Sequence, residues 1–215
     1  FTFIAGGVFF CGGNLLLCIF IVTLAEMLFI MAAYAARSPY AEVGAHRETL
    51  QVMAYEPMVL LLAVGFFLAT GSFNVSTVLH LDYPIIGSAI GVFLGLLFIL
   101  TIKLRKSPFD LSYSHHAHQD LVKGVTTEMS GKVLGQVEIM HWCENILFLA
   151  WVAMFFIWDN PLCIPVVIVA LILIYLLEIW IDNNFARVKW QLLLKSAWVV
   201  TLIFAGINIG LLIYL

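Results

Sequence analysis

The chain has 215 residues, 63% of them hydrophobic and 11% charged, with a formal net charge of −3 and a mean hydropathy of +1.07. Soluble domains are roughly 45–50% apolar and about 25% charged. This composition excludes a soluble enzyme, a nucleic-acid binder, a disulfide scaffold and a disordered chain, and leaves an integral membrane protein.

Six apolar stretches are long enough to cross a bilayer, which takes about 20 residues. They cover 3–36, 55–73, 84–104, 133–158, 162–185 and 193–215. Runs of this length are not the alternating segments of a barrel. The predicted fold class is therefore an all-α, polytopic transmembrane helix bundle forming one domain over 1–215. The first stretch exceeds the hydrocarbon thickness, so it is expected to tilt or to begin outside the membrane. The chain opens at Phe1 within an apolar run and shows no signal-peptide pattern, so a missing N-terminal region is expected.

All ten basic residues fall in alternate connections: Arg37 and Arg47; Lys103, Arg105, Lys106, Lys123 and Lys132; Arg187, Lys189 and Lys195. The positive-inside rule puts these connections in the cytoplasm. The expected location is the cell (inner) membrane of a bacterium or archaeon, with lipid as a constant partner and no nucleic acid. Pro39 and Pro108 each follow a basic residue and a serine, and each is expected to stop the preceding helix.

Acidic residues occur where composition alone predicts none. Glu26 lies deep in the first stretch, Glu56 opens the second, Glu138, His141 and Glu144 lie in the fourth, and Glu178 and Asp182 lie in the fifth. Carboxylates in a bilayer are costly. They must be protonated, paired or placed along a hydrated cavity. Glu138, His141 and Glu144 step by three and are expected to form one slanted stripe. No Lys or Arg is expected near mid-membrane to pair with these acids. They are therefore read as a proton or cation path, with Asp182 at a helix exit.

Other chemistries lack their residues. Only His141 clearly lies in a span, which excludes bis-His haem. No deep Lys is expected for a Schiff base, and no phosphate-binding loop or dinucleotide motif occurs. Cys11, Cys18, Cys143 and Cys163 form no CxxC pair, so no cluster or zinc is expected in this chain. His115, His116 and His118 lack companion ligands at metal-site spacing. They are read as part of a polar docking loop over 105–132. No catalytic, cofactor-binding or metal-ligating residue is assigned.

Three motifs carry a family resemblance. The run SPFDLSYSHHAHQDLVKG, starting at Ser107, resembles the membrane subunit of energy-converting [NiFe] hydrogenases, including formate hydrogenlyase. RSPYAEVGAHRETLQVMAYEP from Arg37 and VEIMHWCENILF from Val137 are similar to the same subunit. All resemble the wider family of the H-type membrane subunit of respiratory complex I. The resemblance matches Tyr55-Glu56 to a YE pair, Pro108-Phe109-Asp110 to PFD, Asp120-Leu121-Val122 with Gly124 to an acidic-LV-x-G pattern, and Glu128 and Glu144 to later glutamates. It implies that these acids line a polar path, that Fe–S clusters and a [NiFe] centre reside in partner subunits, and that Arg37, Arg47, Lys106, Asp110, His115, His116, His118 and Asp120 belong to the docking surface. Implied partners are the hydrogenase large and small subunits, a ferredoxin-like Fe–S subunit and antiporter-like membrane subunits. Two features depart from the complex I pattern: Lys103 stands where an acid precedes PFD, and the histidine run stands where glutamates follow it. They favour the hydrogenase branch over a quinone-site subunit. A passive membrane anchor is the remaining alternative.

Overall fold

The computed structural model describes residues 13–105, 107–109, 124–160 and 162–214. Among them there are helices and no strand. Helix α1 (Leu15–Ala35) is capped by Asn14, whose side chain accepts from the Leu17 N–H at 3.2 Å. Arg37, at φ 51°, breaks the chain direction. Pro39 then opens α2 (Pro39–Thr70), where its missing N–H costs nothing. α2 ends at Gly71 in the left-handed conformation that a glycine cap supplies, with its N–H on the Phe67 carbonyl at 2.7 Å.

The short α3 (Val75–Leu79) and a single 3-10 turn (Ile85–Gly87) lead to α4 (Ile90–Lys103). After the described turn at Gly124–Thr126 come α5 (Gly131–Met154) and α6 (Cys163–Asn184). α7 (Trp190–Val200) passes through a π-helical turn (Thr201–Gly206) into α8 (Ile207–Tyr214), making one 25-residue rod.

Five of these helices, with α7 and α8 taken as one rod, are long and apolar enough to span a membrane. α4, at 14 residues, is about 21 Å long and falls short of the roughly 30 Å hydrocarbon core. The chain is a multi-pass, all-α membrane bundle, as its sequence predicts.

Two boundaries differ from the sequence expectation. The polar stretch 39–54 is not a connection: α2 runs through it without interruption, and Ala41, Gly44, Ala45, Glu48, Gln51 and Val52 lie on its buried face. The third apolar stretch is helical only from Ile90, because the segment around Pro84 is a 3-10 turn.

Contacts between chain ends set the helix directions. Leu15 N–H bonds the Phe73 carbonyl at 2.9 Å, and Ile86 N–H bonds that of Phe155 at 3.2 Å. One end of the bundle therefore gathers the start of α1, the end of α2, the start of α4 and the end of α5. At the other end Tyr34 meets His46 at 3.0 Å, and Val188 N–H bonds the Pro108 carbonyl at 3.0 Å. That end carries the basic connections.

α2 is the central element, half buried over its membrane-length window. Phe66 and Phe93 each pack tilted against Phe155 where α2, α4 and α5 meet, with ring centroids 4.8 and 5.1 Å apart. α6 buries only Ile174 and Glu178, so nearly all of its apolar surface faces outward.

Candidate functional site

Two of the sequence-predicted acids, Glu26 and Glu144, converge on one lysine. Lys103 ends α4, and because that helix is short its side chain does not reach the bundle end. It is 7% exposed. Its ammonium bonds Glu26 of α1 and lies 3.3 Å from Glu144 of α5. It also sits over the Tyr55 ring at 4.2 Å and the Phe148 ring at 5.1 Å. Glu26 is 12 residues into a 21-residue helix, so this charge cluster lies near mid-span. The expectation that no basic residue pairs with the membrane acids is therefore corrected. The reason is the length of α4, which ends a turn or more before the surface and leaves its last residue inside the bundle.

A small cavity adjoins the cluster. Thr23, Glu26, Tyr55, Glu56, Lys103 and Trp151 supply its polar groups, and Val59 and Phe148 are among its apolar walls. It is about the size of a single water molecule. Thr23 Oγ1 donates to Glu56 Oε1 at 2.8 Å. The Tyr55 hydroxyl and the Trp151 indole N–H are buried without a hydrogen-bond partner among the described residues. Glu56 thus stands across the cavity from the lysine cluster. The arrangement can hold and redistribute positive charge between carboxylates within one water-sized space.

A second ion pair lies two residues further on. Arg105, at φ 53°, reaches Glu48 of α2 at 2.8 Å and stacks over Phe29 at 5.7 Å. Gln51 Nε2 donates to the Phe109 carbonyl at 2.5 Å. On the opposite side Ser107 N–H donates to Asp182 at 2.9 Å, and Ser107 Oγ donates to the Phe185 carbonyl at 2.6 Å. The described part of segment 104–109 is thus tied to α2 and to the end of α6. Asp182 lies at a helix exit, as predicted.

The remaining predicted residues divide. His141 lies 3.6 Å from Glu144 and edge-on to Phe29. Glu178 is buried in α6 and has an interaction partner. Glu138 and Glu128 are exposed and stand apart from the cluster. The stripe of Glu138, His141 and Glu144 is therefore spread around α5 rather than gathered on one side. Steps of three advance about 300° each, which puts its ends about 120° apart. Arg37 and Arg47 are exposed at the basic end. Lys106, Asp110, His115, His116, His118 and Asp120, with most of the predicted docking loop, lie outside the described residues. Sequence reasoning missed Lys103, Arg105, Glu48 and Gln51 as partners. Glu48, Gln51 and Tyr55 fall at i, i+3 and i+7, a helical spacing that extends the α2 face into the polar stretch.

A multi-pass helical bundle with a buried charge cluster at the foot of a short helix defines a polytopic membrane protein. Residues 3–213 match the family model described as NADH dehydrogenase, and the chain belongs to that family. Its curated relatives include the H-type subunit of NADH-quinone oxidoreductase from Dehalococcoides mccartyi, 25% identical over 78% of this chain and 48% of that protein. Formate hydrogenlyase subunit 4 of Escherichia coli is 27% identical over 86% of this chain and 64% of that protein. The chain spans about half the length of the first of these relatives. A chain from the membrane-bound sulfane sulfur reductase, an archaeal respiratory membrane complex, shares the fold. Its TM-score is 0.79 at 21% identity, over 93% of this chain and 69% of that one.

Proposed function

We propose that this chain is a membrane-arm subunit of a respiratory complex, of the energy-converting [NiFe] hydrogenase type. It docks a soluble redox module on the face that carries the basic connections, taken as cytoplasmic. Electrons stay in partner subunits, with their Fe–S clusters and [NiFe] centre. This chain contributes the loop over 105–132 and a polar axis through Glu56, Glu26, Lys103, His141 and Glu144, which couples hydrogen metabolism driven by ferredoxin to H⁺ or Na⁺ translocation. The observation that carries this reading is Lys103, held between two membrane carboxylates at the end of a helix that leads directly into the loop. Movement of the loop changes how the lysine is shared, and so changes which carboxylate can take a proton.

Support for the hydrogenase branch is the relation to a formate hydrogenlyase subunit together with Lys103 and the histidine run. A quinone-site subunit is the second reading, favoured by relatives named as subunits of NADH-quinone oxidoreductase. The deciding experiment purifies the native assembly and assays hydrogen evolution from reduced ferredoxin beside quinone reduction. Ion uptake is then measured in vesicles with Glu144→Gln. Hydrogen evolution that continues while uptake falls at least tenfold supports the proposal. Unchanged uptake refutes the polar axis, and a quinone-reducing assembly with no hydrogenase subunit refutes the hydrogenase branch.

A further inference from the structure

The polar axis leaves Glu138 unexplained. It is exposed on α5, and no hydrogen bond or ion pair to another described residue engages it. α5 has 24 residues, about 36 Å. Glu138 lies seven residues in, about 10 Å along the axis. With the helix centred on a hydrocarbon layer of roughly 30 Å, its Cα falls about 7 Å inside the layer. A long lysine at such a depth snorkels to the surface, but a glutamate with two methylenes does not.

The surface around it is a single stripe. Gly135, Glu138, Ile139, Trp142 and Ile146 fall within an arc of about 100°. Trp142 is 65% exposed, and Ile139 and Ile146 are similarly open. A Cβ built on Gly135 meets nothing within 4 Å. Glu144, part of the buried cluster, lies about 180° around the helix from Gly135. The stripe is therefore the outward face of α5: a shallow notch at the glycine, an aromatic knob one turn or two beyond it, and a carboxylate between them.

We propose that this face binds a transmembrane helix of a different subunit, and that this helix places a Lys or Arg at the depth of Glu138. Charge complementarity names the occupant. A carboxylate held within hydrocarbon needs a proton or a cation, and a paired basic residue supplies the cation while the small and apolar residues supply close packing. A second copy of this chain fits less well. The exposed cation nearest in kind is Lys195, six residues into α7, so the contact would join α5 of one copy to α7 of the next. Such a head-to-tail contact closes only into a ring or else propagates. The inference rests on the chain being one subunit of a membrane complex and not on the hydrogenase branch.

The test replaces Trp142 with a photoreactive benzoyl-phenylalanine in the full complex, in native membranes. Irradiation should yield an adduct with another membrane subunit. Its cross-linked peptide should lie in a spanning segment with Lys or Arg within one turn of the linked residue. Glu138→Leu, which suits lipid and so does not threaten folding, should lower the yield at least tenfold. Lipid-only adducts, a self-adduct, a partner segment lacking a basic residue, or an unchanged yield in Glu138→Leu would each overturn the proposal. Any of these, found in a complex that still co-purifies with its partners, leaves the subunit reading intact. Purification of the chain without partners overturns that reading as well.

Discussion

Replacing Lys103 with Met keeps most of the apolar stem and removes the ammonium, with its charge and its hydrogen-bond donors. The ammonium is buried against Glu26 and Glu144, each under 10% exposed. Removing one partner of a buried ion pair typically costs about 3–5 kcal/mol, because the charge left behind is uncompensated. Two carboxylates are left here, so Lys103→Met should reach at least the upper part of that range. The converse sets the sign of the control. A buried charge cluster replaced as a whole by apolar side chains of similar volume is often neutral or stabilising. Adding Glu26→Leu and Glu144→Leu to Lys103→Met should therefore restore at least half of the lost stability. Equilibrium unfolding in mixed micelles, followed by tryptophan fluorescence, measures all the variants on one scale. A triple variant less stable than Lys103→Met alone would show that the three groups are not energetically coupled, and the cluster would lose its claim to be a unit.

Three further outcomes test the supporting structure. Arg105→Ala and Glu48→Gln should be non-additive by about 0.5–3 kcal/mol in a double-mutant cycle, as expected for a pair 2.8 Å apart and largely buried; additivity would remove the anchor from segment 104–109. Thr23→Val should cost about 1–3 kcal/mol by depriving Glu56 of its hydroxyl donor, read by the same unfolding assay. Gly44→Ala should be much worse than Gly95→Ala. A Cβ on Gly44 runs into the backbone at Gly124 and Val125, whereas one on Gly95 meets only the flexible end of Met58. Limited proteolysis near Gly124 should therefore accelerate in Gly44→Ala alone.

The helical bundle was legible in the sequence because apolar runs of spanning length have few other solutions. Boundaries failed where local composition and tertiary packing disagree. Glu42, Arg47, Glu48 and Gln51 made 39–54 look like a loop. Helix α2 carries through them because its small residues Ala41, Gly44 and Ala45 form a buried face, with Gly44 against the turn at Gly124 and Val125. Glu26, Glu56 and Glu144 were found by the cost of placing acids in apolar runs. Lys103 was missed for the opposite reason. It sits at the edge of an apolar run, where a lysine usually marks the surface, and only the short reach of α4 brings it inside. The exposed position of Glu138 was hidden as well, since a three-residue step suggests one face over a single turn and drifts off it over two.

The coupling proposed for this subunit needs little motion. At an effective dielectric of about 20, an ammonium and a carboxylate 3.3 Å apart attract by about 5 kcal/mol, and at about 5.3 Å by roughly 3 kcal/mol. A shift of about 2 Å in Lys103 therefore changes the balance between Glu26 and Glu144 by about 2 kcal/mol, or more than tenfold in an equilibrium. The lysine is the last residue of α4, and the chain beyond it is gripped at Arg105 by α2 and at Ser107 by α6. A displacement imposed on the loop reaches the lysine through at most four backbone positions. Had an acid stood at position 103, the cluster would hold only like charges, and the same displacement would alter repulsion without any cation to hand over. Under the proposed coupling, the positive charge at this single residue is what turns the cluster into an exchange between two carboxylates and ties that exchange to the loop proposed to hold a redox partner.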